Sequence, residues 1–262
     1  MSKPKVLVII EDENRGSLLF KHLLKIFKVN YRVYEFRTNI YTLFYKMKEY
    51  DFNADIKTVL KEYHPEHKTL LKNDFAYTYL LFDCDAHHSY KDDKRTYEKI
   101  VNDNFKLLKE MVKYFNNETD PTVGKLYLDY PMLESYRYCD DCFDCNYKNA
   151  TVSITEMKNF KRITGKTKLA NKHIDRFSKK VLSSIILQNV FKLNSIFKSK
   201  WEKPLFKDYL SMSLQRRIIN KQLSYKTMHD EIYVLNTSMF IIPDYFGNRN
   251  EFYDKRLMEY HI

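Results

Sequence analysis

The stretch "VLVIIEDENRGSLLFKHLL", Val6 to Leu24, sets five aliphatic residues against three acids and then resumes an apolar pattern at helical spacing. A short β-branched run bounded by polar residues reads as a buried strand. Leu18, Leu19, His22, Leu23, Ile26 and Phe27 come next as one face of a helix. Open α/β sheets build ligand sites at the carboxyl ends of their strands, where such acids would stand. A phosphoacceptor receiver, a metal-dependent nuclease core and a plain charged turn all fit this stretch, so the acids further along the chain must decide between them.

"YRVYEF" (Tyr31–Phe36) reads as a second strand and "TNIYTLFYKMKEY" as a helix, with a polar helical insertion over about 40–73. Tyr77–Phe82 is another buried strand, ending in Asp83-Cys84-Asp85. "RTYEKIVNDNFKLLKEMVKYF" then gathers Tyr97, Ile100, Phe105, Leu108, Met111, Val112 and Phe115 on one side of an amphipathic helix. "KLYLDYPMLESY" is a further strand running into Pro131. This alternation predicts an α/β domain with a parallel central sheet over residues 1–153. Residues 154–262 read as a basic, mainly helical region packing on that core. Within it, "NKHIDRFSKKVLSSIILQNVFKLNSIF" reads as uninterrupted helix and "EIYVLNTSMFIIPDYFG" as a strand or buried helix.

With 262 residues, 44 % apolar, 22 Tyr and 18 Phe against 4 Gly and 6 Pro, the chain can bury a core; disordered and collagen-like classes are excluded. No apolar run approaches the roughly 18 to 20 residues of a membrane span, and "MSKPKVLVII" lacks the features of a secretory leader. The expectation is a cytoplasmic protein with no membrane partner. The net charge of +11 is uneven: Glu156–Lys226 holds eighteen Lys/Arg against four acids, a net of +14 that leaves −3 for the remainder. An acidic site beside a basic region suits joint binding of a metal and a polyanion, with nucleic acid the expected partner. The sequence leaves monomer and homo-oligomer open.

Acids stand at three strand ends: Glu11, the pair Asp83 and Asp85, and Glu134 just beyond Pro131. If the strands are parallel neighbours, these acids meet at one edge of the sheet. Asp83 and Asp85 would share a face by strand alternation, with Cys84 turned to the core. Oxygen donors without Cys or His suit Mg²⁺ or Mn²⁺, which can orient a phosphodiester and activate water. Asp12 and Glu13 read as bystanders in a solvated turn.

"VLVIIE" followed about seventy residues later by "YLLFDCD", and then by "KLYLDYPMLESY", resembles the toprim domain of topoisomerases, primases and OLD-type nucleases. The likeness covers roughly Val6–Tyr136 and is greatest to defence-associated members, such as the toprim effectors of PARIS-type anti-phage systems. The resemblance implies a Rossmannoid core and a metal-dependent nuclease acting on RNA such as tRNA, or on DNA. It assigns Glu11 as general base or metal ligand, Asp83 and Asp85 as metal ligands, Glu134 as a second-site ligand and Ser135 as a phosphate contact. It also implies a lysine beyond the third motif, for which Lys166 in "ITGKTK" is the candidate. A toxic effector governed by a separate ATPase sensor fits the same likeness, since the chain has no phosphate-binding G-x-x-x-x-G-K-[ST] loop. Asp12 stands where toprim domains usually carry glycine, and Arg15 where an acid is common. The alternatives are a non-catalytic nucleic-acid-binding or regulatory protein with a degenerate site, and a receiver-like domain. The receiver fits less well, because Asp83 lies 72 residues after Glu11 and no Lys-Pro directly follows the third strand, "KLYLDY".

Cys139, Cys142 and Cys145 are spaced C-x2-C-x2-C without a fourth ligand nearby, so an acidic exposed loop is expected rather than structural zinc. His87 and His88 follow the D-x-D motif as loop residues or substrate contacts. Lys158, Lys161, Arg162, Arg176, Lys179, Lys180, Arg216 and Arg217 are the candidate nucleic-acid-binding cations. Phe160 and Phe177 could stack on bases or fill the core, and Trp201 is expected in the core.

Overall fold

The computed structural model describes residues 4–90, 93–120, 122–139, 146–247 and 253. The chain is α/β with a mostly parallel central sheet. Two compact units emerge: Met1–Asp83 with Met111–Tyr127, and Cys84–Glu110 with Leu128–Ile262.

In the first unit, β1 (Lys5–Ile10) lies between β2 (Asn30–Glu35) and β3 (Tyr77–Asp83), parallel to both. Val6 to Ile9 are fully buried, as an all-aliphatic central strand requires. Between β1 and β2 runs α1 (Arg15–Ile26), which buries Leu19, Phe20, Leu23 and Leu24. Leu18, expected on that face, is exposed, so the buried stripe is turned one position along the helix. The Asp12 carboxylate accepts the amides of Gly16 at 2.8 Å and Asn14 at 3.1 Å, anchoring the start of α1 as an N-terminal cap does. Glu13 pairs with Arg37 at 2.7 Å. Both acids flanking Glu11 thus have structural partners.

The expected insertion is α2 (Ile40–Glu49), α3 (Ile56–Tyr63) and α4 (Lys68–Leu71), capped by Asn39 and Asp55 at the first two helices. α5 (Tyr97–Tyr114) buries Ile100, Phe105, Leu108, Met111 and Val112, as its periodicity predicts. The short β4 (Asn116–Asn117) pairs antiparallel with β5 (Gly124–Tyr130). Gly124 begins β5 at φ 78°, and a Cβ there would fall 2.5 Å from Leu80 Cδ1, so only glycine lets β5 close on β3.

In the second unit β8 (Leu235–Asn236) adds antiparallel to the end of β5, and β6 (Thr151–Ser153) pairs with β7 (Glu231–Tyr233). The helices here are α6 (Phe160–Thr164), α7 (Lys179–Lys198), α8 (Phe206–Met212), α9 (Gln215–His229) and α10 (Ile241–Phe246). The long helix predicted from Asn171 begins only at Lys179, because the Ser178 hydroxyl accepts the Val181 amide and caps it there. The segment from Glu231 is both things expected of it, strands first and a buried helix after.

Lys192 on α7 is fully buried. Its ammonium donates to the carbonyls of Lys148 at 2.8 Å, Ala150 at 2.9 Å and Tyr147 at 3.1 Å, and lies over the rings of Tyr147 and Tyr233. A buried cation is tolerated when carbonyl oxygens replace its water. Lys192→Met should therefore lower unfolding free energy by about 2 to 4 kcal/mol, because Lys148 O loses this donor while Tyr147 O and Ala150 O are each left with a backbone amide; urea denaturation of the two proteins checks it.

Candidate metal centre

Parallel register places Ile10, the last residue of β1, opposite Leu81, and β3 continues two residues further to Asp83, so Glu11 leaves β1 alongside the end of β3. The Asp83 amide donates to Glu11 Oε2 at 3.0 Å, which fixes the glutamate on the strand end. Asp85 lies two residues on, where the chain leaves the strand with φ 39°. That left-handed conformation is uncommon for a non-glycine residue, and aspartate tolerates it better than most. Strained backbone of this kind gathers at functional sites. One carboxylate oxygen from each of Glu11, Asp83 and Asp85 can lie within 4.8 Å of the others; this is the one such group of His, Cys, Asp or Glu among the described residues. All three side chains are half-buried.

Burial pushes the Asp85 carboxyl up from its ordinary value, opposed by the charges of His87, Lys161 and His88. His87 is pushed down by burial, with Asp85 opposing. Its Nδ1 lies 4.0 Å from Asp85 Oδ1, without a hydrogen-bond partner. The loop is held from α5: Asn104 donates to the carbonyls of Ala86 at 3.0 Å and His88 at 2.7 Å. The Cys84 amide donates to Asp129 O, and the Asp85 amide to Pro131 O. Cys84 is core, as alternation predicts.

The other candidates are placed differently. Glu134 is buried in the helical turn Leu133–Tyr138, 3.7 Å from the Arg137 guanidinium, and does not belong to the group of three. Ser135 is fully buried, its hydroxyl enclosed rather than offered to a phosphate. Lys166 is exposed after α6, whereas the charge of Lys161, also exposed, acts on Asp85 and His87. Lys158, Arg162, Arg176, Lys180, Arg216 and Arg217 are exposed and Lys179 half-buried. Phe160 and Phe177 are core; Trp201 is half-buried, edge-on to Phe191. Cys139 is buried against Asn189 rather than exposed, while Cys142 and Cys145 lie outside the described residues.

Three residues important to this region carry little signal in the sequence. Lys161 is there one cation among many. Asn104 sits on the buried stripe of α5, and an amide among its apolar positions was the available signal. Asp129 on β5 is fully enclosed, its carboxylate accepting the Ser238 amide at 2.9 Å, and burial pushes it up to about 7 despite that bond.

These environments have two measurable outcomes. The folded protein retains a proton on Asp129 that the unfolded chain releases above about pH 4, so this contribution, at most ~4 kcal/mol, is lost as pH rises from about 4 to 7. Asp129→Asn should flatten that part of the stability profile, read by urea denaturation at intervals of pH. Asp85→Asn keeps the shape and removes a charge held in a desolvated place, so the folded state should gain up to about 1 kcal/mol.

Compared with known proteins, the chain matches no family model, and neither a curated protein nor a solved structure shows significant similarity to it.

Proposed function

We propose that the chain is a metal-dependent nuclease with a toprim-like core that cleaves phosphodiester bonds of nucleic acid. The observation that carries this reading is the convergence of Glu11, Asp83 and Asp85 at the carboxyl ends of adjacent parallel strands. Their donors are all oxygen, which fits Mg²⁺ or Mn²⁺ and argues against a zinc-type site. When bound, such a cation neutralises phosphate charge and lowers the pKa of attacking water.

The chain's own residues divide the remaining work. Glu11, oriented by the Asp83 amide, would hold the metal or take the proton from water. Asp83 and Asp85 would complete the oxygen set. The raised affinity of Asp85 for a proton marks a carboxylate whose negative charge lacks full compensation in the protein alone. Lys161 is the lysine we assign to an incoming phosphate, since its charge acts on Asp85. His87 lies beside Asp85, where it can orient that carboxylate or exchange a proton with it. The resemblance to defence-associated toprim proteins extends the reading to a toxic anti-phage effector working with a separate ATPase sensor.

Incubation of labelled tRNA, single-stranded DNA and duplex DNA with Mg²⁺ or Mn²⁺ tests the proposal. Cleavage should vanish with EDTA and fall at least ~100-fold in Glu11→Gln and Asp83→Asn, with thermal unfolding little changed. Binding without cleavage, or cleavage indifferent to both substitutions, would remove the nuclease and leave a non-catalytic nucleic-acid-binding protein.

A further inference from the structure

Between Glu156 and Asp175 the chain contains no acid, yet it carries Lys158, Lys161, Arg162, Lys166, Lys168 and Lys172, all exposed. Local structure sorts these residues. Phe160, Thr164, Leu169 and Ile174 turn inward and are buried, so the intervening cations are left on the outer surface. α6 packs on the turn Leu133–Tyr138, where Arg137 donates to the Thr164 hydroxyl at 3.3 Å and the Tyr138 ring stacks on Phe160. That turn begins two residues after Pro131, whose carbonyl accepts the Asp85 amide at 3.2 Å, so the same surface adjoins the loop that bears Asp85.

We propose that this acid-free ledge, Lys158 to Lys172, is the surface that carries a nucleic-acid backbone toward the Asp85 end of the carboxylate group. It deepens the nuclease reading and rests on it for its occupant. Lysines that serve only solubility are interspersed with acids, as on α5, where Lys99, Lys106 and Lys109 alternate with Glu98, Asp103 and Glu110. Over Lys158–Lys172 the sequence itself carries no acid. A run of like charge next to carboxylates that could hold a metal matches a polyanion whose backbone must pass over the ledge and then reach the metal. Arg162 and Lys166 are exposed on short, anchored turns, where each can meet a phosphate without reorganising the fold.

The test measures binding apart from cleavage. Fluorescence anisotropy tracks a labelled single-stranded oligonucleotide of about 30 nucleotides in EDTA across a salt series. The triple variant Lys158→Gln/Arg162→Gln/Lys166→Gln is compared with Lys99→Gln/Lys106→Gln/Lys109→Gln, which changes net charge equally. Both are checked for unchanged thermal unfolding. The ledge variant should bind at least ~10-fold more weakly, and its dependence of log affinity on log salt should flatten by about 2. The α5 variant should remain within about 3-fold of the parent. Equal losses in the two variants, or a ledge variant that binds like the parent, overturn the proposal. So does a parent protein that prefers phosphatidylserine vesicles to the oligonucleotide. A selective loss in a protein that never cleaves retains the ledge and removes the nuclease; cleavage by a ledge variant with undiminished binding does the reverse.

Discussion

The parallel pairing of β1 with β3 is the constraint on which the candidate site depends. Its register sets Ile10 opposite Leu81, and two residues further along β3 the Asp83 amide finds the Glu11 carboxylate at 3.0 Å. A shift of one residue would turn every side chain of β1 to the opposite face and carry Glu11 away. The aliphatic run Val6–Ile10, buried throughout, resists such a shift because each residue already fills the core. The buried core and the acidic group therefore draw on the same alignment.

Around that alignment the protein distributes its charges by role. Asp12 holds the first turn of α1, Glu13 meets Arg37, and Glu35 accepts from Lys21, so these acids serve the fold. Glu11, Asp83 and Asp85 instead each bring one carboxylate oxygen within 4.8 Å of the others. Asp85 adds a left-handed backbone and a raised proton affinity. The loop that bears it is tied down by Asn104, so the strained conformation is held by side chains remote in sequence.

Much of the framework was legible in the sequence because hydrophobic period is a strong local signal. The runs Val6–Ile10 and Tyr77–Phe82, the apolar side of α5 and the acids at two strand ends all derive from it. What the sequence hid depends on long-range pairing. Cys139 is buried because Asn189, fifty residues away, faces it. Lys192 counts as one more surface cation until three carbonyls are seen to surround it. Glu134 resembled a metal ligand by position, but its neighbour Arg137 turns inward with it and offers an alternative partner. Lys161 and Lys166 are alike in sequence and differ only in what lies near them. Ser178 is a helix-start signal that stands within a stretch free of glycine and proline, where nothing else marks a boundary.

The two compact units are interleaved along the chain, which crosses between them after Asp83, Glu110 and Tyr127. α5 and β5 are each continuous through a crossing. Neither unit is a contiguous segment, so no single truncation releases one intact, and recombination at one breakpoint cannot exchange either with another protein. During synthesis the unit holding Glu11 and Asp83 has all its residues once Tyr127 has emerged, while its companion must wait for the later helices and strands. The pairing that sets the first two carboxylates can thus form before most of the basic region exists.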